Sequence, residues 1–453
     1  MRTATSFRML RCKRFVFAAA IVFATASATC AAGLFGDGLD ARSIALGGTE
    51  AAQIGSAIAA MNSNPAALTG SSEAQFEVGV GGTFVDGEFR RDSGETAHLR
   101  EWAAYIPAAA LAIPGPRNFP IKFGLAVLPD FMAGVDWHYR DAPGGLGGTT
   151  SYGEQTQRSS ILALRTNAAV AVQISRWFSL GASAGAIYSE DRLKAPYVFQ
   201  SQPVLVGFKT LLDLDAEGFG ATFDFGAQFR LASKFTVGLA YRPATVIHGD
   251  GEASGNANAQ LQALGGGFAL VNPTFRYDAQ VRTKLPQTVS AAFEWQALPQ
   301  LRVVGGLDWI DWSDAFDELV IDLSHGSNPA INGVVGSDAM RDVVPLHWRD
   351  QFVPRLGVEF AVTEHFALRA GYSYARSAVP PATLNPLNAS IFEHKLSLGA
   401  GYRTGRYHTD VAWLWALPAT ERVGESELAA GEYSHISVRV TQHSLEWSAG
   451  VDF

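Results

Sequence analysis

The last thirteen residues, TQHSLEWSAGVDF (Thr441–Phe453), decide the fold. Their odd positions are Thr, His or apolar, while the even ones read Gln442, Ser444, Glu446, Ser448, Gly450 and Asp452. A period of two places successive side chains on opposite faces of a strand, so this is a strand with one greasy and one polar face. When the greasy face meets lipid, the pattern marks a strand of an outer-membrane barrel. The same alternation recurs upstream. Phe219, Ala221, Phe223, Phe225, Ala227 and Phe229 alternate with Gly220, Thr222, Asp224, Gly226 and Gln228. Phe352, Pro354, Leu356, Val358 and Phe360 face away from Gln351, Arg355, Gly357 and Glu359.

The opposite end has another character. Arg2, Arg8, Arg11, Lys13 and Arg14 precede an apolar run from Phe15 to Ala24 and small residues through Ala32. That order is a secretory signal peptide, taken here as 1–32, with cleavage open between Ala28 and Ala32. Of the two cysteines, Cys12 lies within the signal, so Cys30 has no partner for a disulfide in the mature chain. Beyond the signal no uncharged apolar run approaches the length of a membrane helix. A barrel remains open, because its polar interior dilutes mean hydropathy, here +0.07. Loss of the five basic signal residues lowers the formal charge from -8 to about -13, which argues against a nucleic-acid partner.

Period-two segments predict fourteen strands, near 75–88, 99–114, 120–138, 161–174, 177–190, 215–231, 234–247, 274–297, 300–322, 349–362, 365–377, 391–404, 406–417 and 436–453. An even number suits a single-chain bacterial barrel. The connections alternate between short ones, such as Ser175-Arg176, Ala232-Ser233 and Thr363-Glu364, and long ones, such as 139–160, 191–214, 248–273, 324–348 and 378–390. Short periplasmic turns and long outer loops are the barrel topology. The expected fold is therefore all-β, a 14-stranded antiparallel transmembrane barrel over 73–453.

Residues 33–72 lack strand alternation. They contain Ala45-Leu46-Gly47-Gly48-Thr49 and Met61-Asn62-Ser63-Asn64-Pro65-Ala66-Ala67-Leu68. With Leu285-Pro286-Gln287-Thr288-Val289, Asp308-Trp309-Ile310-Asp311-Trp312-Ser313 and Leu368-Arg369-Ala370-Gly371-Tyr372-Ser373-Tyr374, the chain resembles the FadL family of outer-membrane transporters for long-chain fatty acids and other hydrophobic compounds. The resemblance implies an N-terminal hatch at 33–72 that blocks the lumen, with Asn64, Pro65 and Ala66 at its core. Physics agrees, because a barrel of this size is too wide for wall side chains alone to fill.

Alternation sends Glu77, Asp224, Arg230, Arg242, Arg302, Asp308, Arg355, Glu359, Arg369, Glu393, Lys395 and Glu446 inward. Charges there need partners or water, so these either hold the hatch or meet a ligand carboxylate. Arg355, Arg369 and Lys395 are the candidates for the second role. The third strand holds Pro129-Asp130 and Gly134, residues that interrupt a ladder or mark a bulge. In the family a kink in the third strand opens the wall, so Pro129, Asp130 and Gly134 are the candidate lateral opening, against a bulge without function. An apolar run after the fifth strand, including Phe199 and Phe208 with Lys194 nearby, is either a capture surface for hydrophobic ligand or loop packing.

No cofactor, metal site or enzyme activity is expected. Gly181-Ala182-Ser183-Ala184-Gly185 has the nucleophile-elbow pattern but sits mid-strand. The expected function is passive uptake of long-chain fatty acids or other hydrophobic compounds, with lateral exit at the third strand. A barrel enzyme acting on lipids and an open diffusion pore are the alternatives. The expected partners are the hydrophobic ligand, outer-membrane lipid, lipopolysaccharide and the barrel assembly machinery, and the expected state is a monomer.

Overall fold

The structure is a computed structural model that describes residues 37–100, 102–116 and 119–453. The signal expected at 1–32, and residues 33–36 of the expected hatch, lie outside the described residues. Fourteen long strands run antiparallel, each hydrogen-bonded to the next. They begin with β1 (Gln75–Arg91), β2 (Thr96–His98 and Trp102–Pro114), β3 (Ile121–Arg140), β4 (Glu154–Ser175), β5 (Phe178–Val198), β6 (Lys209–Ala232) and β7 (Phe235–Arg242 and Thr245–Asn256). The second half comprises β8 (Thr274–Leu285 and Thr288–Leu298), β9 (Leu301–Ile310 and Glu318–Ser324), β10 (Met340–Pro345 and Gln351–Ala361), β11 (Phe366–Tyr374), β12 (His394–Thr404), β13 (Tyr407–Arg422) and β14 (Ile436–Asp452). β14 pairs back onto β1, from Gln75 opposite Asp452 to Arg91 opposite Ile436. That closure joins the last strand to the first, the condition for a sheet to stand in hydrocarbon.

Along the wall, Phe76, Val80, Phe84, Phe223, Phe225, Leu356 and Leu445 are exposed, while Gln75, Glu77, Thr222, Asp224 and Glu446 are buried in the lumen. Aromatic residues gather at two levels. Phe178 and Phe229 stack at 4.9 Å beside the short turns, and His443 lies nearly parallel to Trp413 and Trp415, 5.9 Å from each, toward the other end. Such girdles mark the two membrane surfaces.

Several strands run on past the outer girdle, and there the greasy face changes sides. In β6 the odd residues from Asp213 to Phe225 point outward: Phe219, Phe223 and Phe225 are apolar, but Asp213, Asp215 and Glu217 are charged. The even residues invert in step, from Thr222 and Asp224 to buried Leu212, Leu214 and Ala216. These leucines join Phe275, Tyr277, Ala279, Val281, Ile321 and Leu323 in a hydrophobic core of their own. Within the expected loops, 191–198, 209–214, 248–256 and 340–345 are therefore strand. Conversely, the strands expected at 274–297 and 300–322 are each interrupted. Pro286 cannot donate to a ladder, and Trp312–Ala315 forms a helical turn whose cap is the Asp311 carboxylate.

Residues 37–72 lie within the barrel. Two short helices, α1 (Ala41–Ala45) and α2 (Ala57–Asn62), precede a 3-10 turn at Pro65–Gly70. Asp40, Ser56 and Asn64 cap them through their side chains, so polar groups left over at each start find acceptors. Helices this short do not persist alone; burial of Ala41, Ala45, Ile58, Ala59 and Met61 against the wall holds them.

Candidate functional site

Residues 37–72, the segment expected to be a hatch, are seated by backbone approach on the wall's glycines. A side chain at Gly238 would stand 1.8 Å from the Ala51 carbonyl oxygen, one at Gly371 2.2 Å from the Gly47 nitrogen, and one at Gly181 2.4 Å from the Ala66 nitrogen. Wall charges complete the seat. Arg355 Nη1 donates to the Gly47 carbonyl at 2.9 Å while its Nε meets Asp308 at 2.7 Å. Glu77 accepts from the Ile58 amide at 2.9 Å, Arg230 donates to the Thr69 carbonyl at 3.1 Å, and Lys395 binds both Asp37 oxygens at 2.6 Å. Arg369 lies lower, between Glu359 and Asp410 at 2.6 Å each. Arg42 of α1 reaches the same Glu359 at 3.2 Å.

Asn64 shows why the Asn-Pro-Ala tripeptide sits where it does. Its Oδ1 accepts from the Ala66 amide at 3.1 Å, and its Nδ2 donates to Ala51 at 2.6 Å and to the wall carbonyl of Ala227 at 3.1 Å. Pro65 starts the turn without an amide to satisfy, and Ala66 fits against Gly181.

β3 breaks the wall. With β2 it pairs only from Ala109 opposite Val127 to Pro114 opposite Lys122. Above Val127 the next links are the Leu99–Trp137 bridge and the Arg100 amide donating to Asp136 at 3.1 Å. Between these, β2 stays with β1, and β3 follows β4. On the β4 side, Pro129 faces Leu164 and Phe131 faces Ala163, which leaves Asp130 as the extra residue of a bulge.

The Asp130 side chain turns inward to a cluster that is buried except for part of Arg242. Its Oδ1 lies 3.1 Å from both Arg165 Nε and Arg242 Nη1. The same arginines meet Asp224, Arg165 Nη1 at 3.1 Å and Arg242 Nε at 2.6 Å. Two cations and two anions leave the cluster formally neutral, as burial requires.

A cavity of about 100 Å3 borders this cluster, touching Asn62, Pro129, Asp130, Met132, Arg242 and Arg355. A second, of about 60 Å3, carries the aromatic residues Phe131, Trp312, Trp348 and Phe392 with Val353 above Arg355 and Lys395. Over both, residues 375–393 cross the barrel mouth, where Ala378, Val379, Leu384, Ile391 and Phe392 are buried and Trp137 Nε1 donates to the Pro386 carbonyl at 3.0 Å.

The sequence and the closed barrel both match a known family. The model of the family described as "Outer membrane protein transport protein (OMPP1/FadL/TodX)" matches residues 17–452. The chain belongs to this family. It is thus an outer-membrane transport protein. Among solved structures, a FadL homologue of Pseudomonas aeruginosa superposes with a TM-score of 0.71 at 16% identity, covering 94% of this chain and 100% of its own. The Ralstonia pickettii toluene transporter TbuX gives 0.69 at 20% identity over 92% and 99%. The Pseudomonas putida toluene transporter TodX gives 0.69 at 19% identity over 92% and 98%. No curated protein matches the sequence.

Within this FadL/TodX barrel the expected site residues divide. Arg355 and Lys395 border the lumen cavities, but both are already paired, and Arg369 is held away from them by Glu359 and Asp410. Lys194 points outward and pairs with Asp213. Phe199 is buried in the outer core, and Phe208 packs against it. These three sit apart from the lumen cavities. Gly134 pairs regularly with Ser160, so the bulge is confined to Asp130. Ser183 donates to Asp224 at 2.6 Å from within the ladder. Arg165 escaped the reading of the sequence, although it lies between Leu164 and Thr166 on the inward parity of β4. Asn62 and the seat glycines carry no sequence signal, because their role is backbone proximity.

Proposed function

We propose that this barrel takes up hydrophobic molecules into the lumen cavities and releases them sideways between β2 and β3 while the hatch segment blocks the straight path. The observation that carries the reading is a cavity bordered by Pro129, Asp130 and Met132 at the level where β3 has left β2. A molecule leaving there moves from the lumen straight to hydrocarbon. The expected cargo is a fatty acid or another hydrophobic compound, since the pocket beside Phe131 and Trp312 is mostly apolar. Neither energy coupling nor chemistry is needed. The lipid-enzyme alternative gains little, since Ser183 is engaged with Asp224, and the outward His394 and His443 stack on Tyr372 and Trp415.

Uptake of labelled oleate and of labelled toluene, in cells lacking their own transporter, tests the reading. The full chain should give saturable uptake of at least one. Replacing Pro129→Val and Asp130→Thr together should let β3 rejoin the ladder and abolish that uptake with the barrel folded; unaltered uptake would sink the side exit.

A further inference from the structure

The bulge residue and the hatch segment grip the same pair of arginines. Arg165 Nη2 donates to Asn62, at 3.2 Å to its carbonyl and 2.8 Å to its Oδ1, and Arg242 Nη2 donates to the same carbonyl. Asn62 is the last residue of α2, so its carbonyl is one that the helix leaves without a partner. Each arginine therefore has one edge on the hatch, one on Asp224 and one on Asp130. The guanidinium is a rigid fork, and moving its hatch edge moves the others with it. Asp130 is held against a cost: its second oxygen, Oδ2, is buried without a hydrogen-bond partner. A carboxylate so placed would move if its cations moved.

We propose that Arg165 and Arg242 are positioning residues that make the β2–β3 gap depend on the seating of the hatch. With Asn62 in place, the two forks draw Asp130 into the lumen, and Asp130 keeps β3 bulged away from β2. When Asn62 withdraws, the forks lose three acceptor contacts on the hatch and swing to the aspartates, and the bulge changes shape. By this account the buried charge sets the bulge, with Pro129 only permitting it. The functional meaning rests on the side exit proposed above.

Linkage makes the effect reciprocal, which supplies the test. Amide hydrogen exchange followed by mass spectrometry on the folded full-length barrel reads 57–67 in the hatch and 128–135 in β3. Asn62→Ala, which deletes the Oδ1 acceptor of Arg165 and the bond to Glu50 but keeps the carbonyl, is expected to change exchange over 128–135 by about fivefold, and Asp130→Asn to change it over 57–67 by about tenfold. The double variant should fall short of the product of the two. A residue that merely supports the wall would alter its own segment alone, and changes confined in that way overturn the coupling. If Asp130→Asn does not fold, as judged by heat-modifiable mobility, the Asn62→Ala arm decides by itself. Exchange is read without cargo, so a failure here leaves the side exit standing. Unaltered uptake by the Pro129→Val, Asp130→Thr barrel removes the exit and, with it, the meaning of the clasp.

Discussion

Gly238→Ala should unseat the hatch segment without unfolding the wall. The added methyl carbon would lie 1.8 Å from the Ala51 oxygen and 2.4 Å from its carbonyl carbon, well inside van der Waals contact. The wall cannot give way easily, because Gly238 is paired to Gln228 on one side and Ala292 on the other. The hatch must retreat instead. Overpacking of this kind costs about 1–3 kcal/mol. Retreat of Ala51 also strains the 2.6 Å bond from Asn64 Nδ2, worth about 1 kcal/mol. At about 1.4 kcal/mol per factor of ten, a total of about 2–4 kcal/mol lowers hatch seating by about 30- to 1000-fold. Conductance in planar bilayers reads the result directly. Wild-type protein should conduct little, and Gly238→Ala should show frequent openings of porin size, with heat-modifiable mobility unchanged. Gly267→Ala, where an added carbon meets nothing within 4 Å, is the control. Wild-type conductance from a folded Gly238→Ala barrel would refute the idea that 37–72 is a plug seated on glycine.

Other expectations concern charge. Burial, reinforced by Asp40 and opposed by bonds from Asn62 and Leu39, pushes the Glu50 carboxyl up to about 8. A carboxyl raised in the seated hatch favours seating at low pH; that contribution is complete below about 4.5 and is lost as pH rises through about 8. Trypsin cleavage within the hatch should accordingly rise between pH 5 and 9, and Glu50→Gln should flatten the dependence; the same slope in both proteins would contradict it. At the outer mouth, fully buried Lys209 pairs with Asp141 and Glu432 at 2.7 Å each. Lys209→Met should loosen this cap by about 3–5 kcal/mol and expose the outer loops to protease. Burial pushes both acids up even against Lys209, so the variant should regain protection as pH falls and they take up protons; equal nicking at pH 5 and 8 would argue otherwise. Asp342 accepts from the Gln200, Ser201 and Gln202 amides at 2.7–3.0 Å, so Asp342→Asn should free 199–208 to faster exchange, at a cost of about 1–3 kcal/mol.

The strand count, the inward charges and the interruption at Pro129-Asp130 were legible because a barrel wall writes its two faces as alternate letters. Strand limits outside the membrane were not. In β6 the alternation continues through Leu212, Leu214 and Ala216, but its apolar letters have moved to the other parity, so the run resembled an apolar loop. Phe199 and Phe208, in the turn between β5 and β6, pack into the same outer core. Arg355, Arg369 and Lys395 were correctly placed inside, yet a sequence cannot reveal that Asp308, Asp410 and Asp37 come from distant segments to neutralise them. Arg165 was available to the alternation argument; its meeting with Asn62 depends on the path of the hatch, which no periodicity records.

The gap between β2 and β3 also has an altitude. On β1 the outward residues change from Phe84 to Asp86, which sets the outer water boundary, and Phe84 lies opposite Ala103 of β2. The unpaired stretch of β2, above Ala109, therefore begins near Val80 and runs up to that boundary. It looks onto the outer half of the bilayer only. A molecule released there joins the outer leaflet, and its onward passage to the periplasm becomes a matter of spontaneous flip and desorption. Molecules that tumble readily between leaflets would arrive quickly; those anchored by a charged head would accumulate, and their flux would follow the lipid and not the barrel.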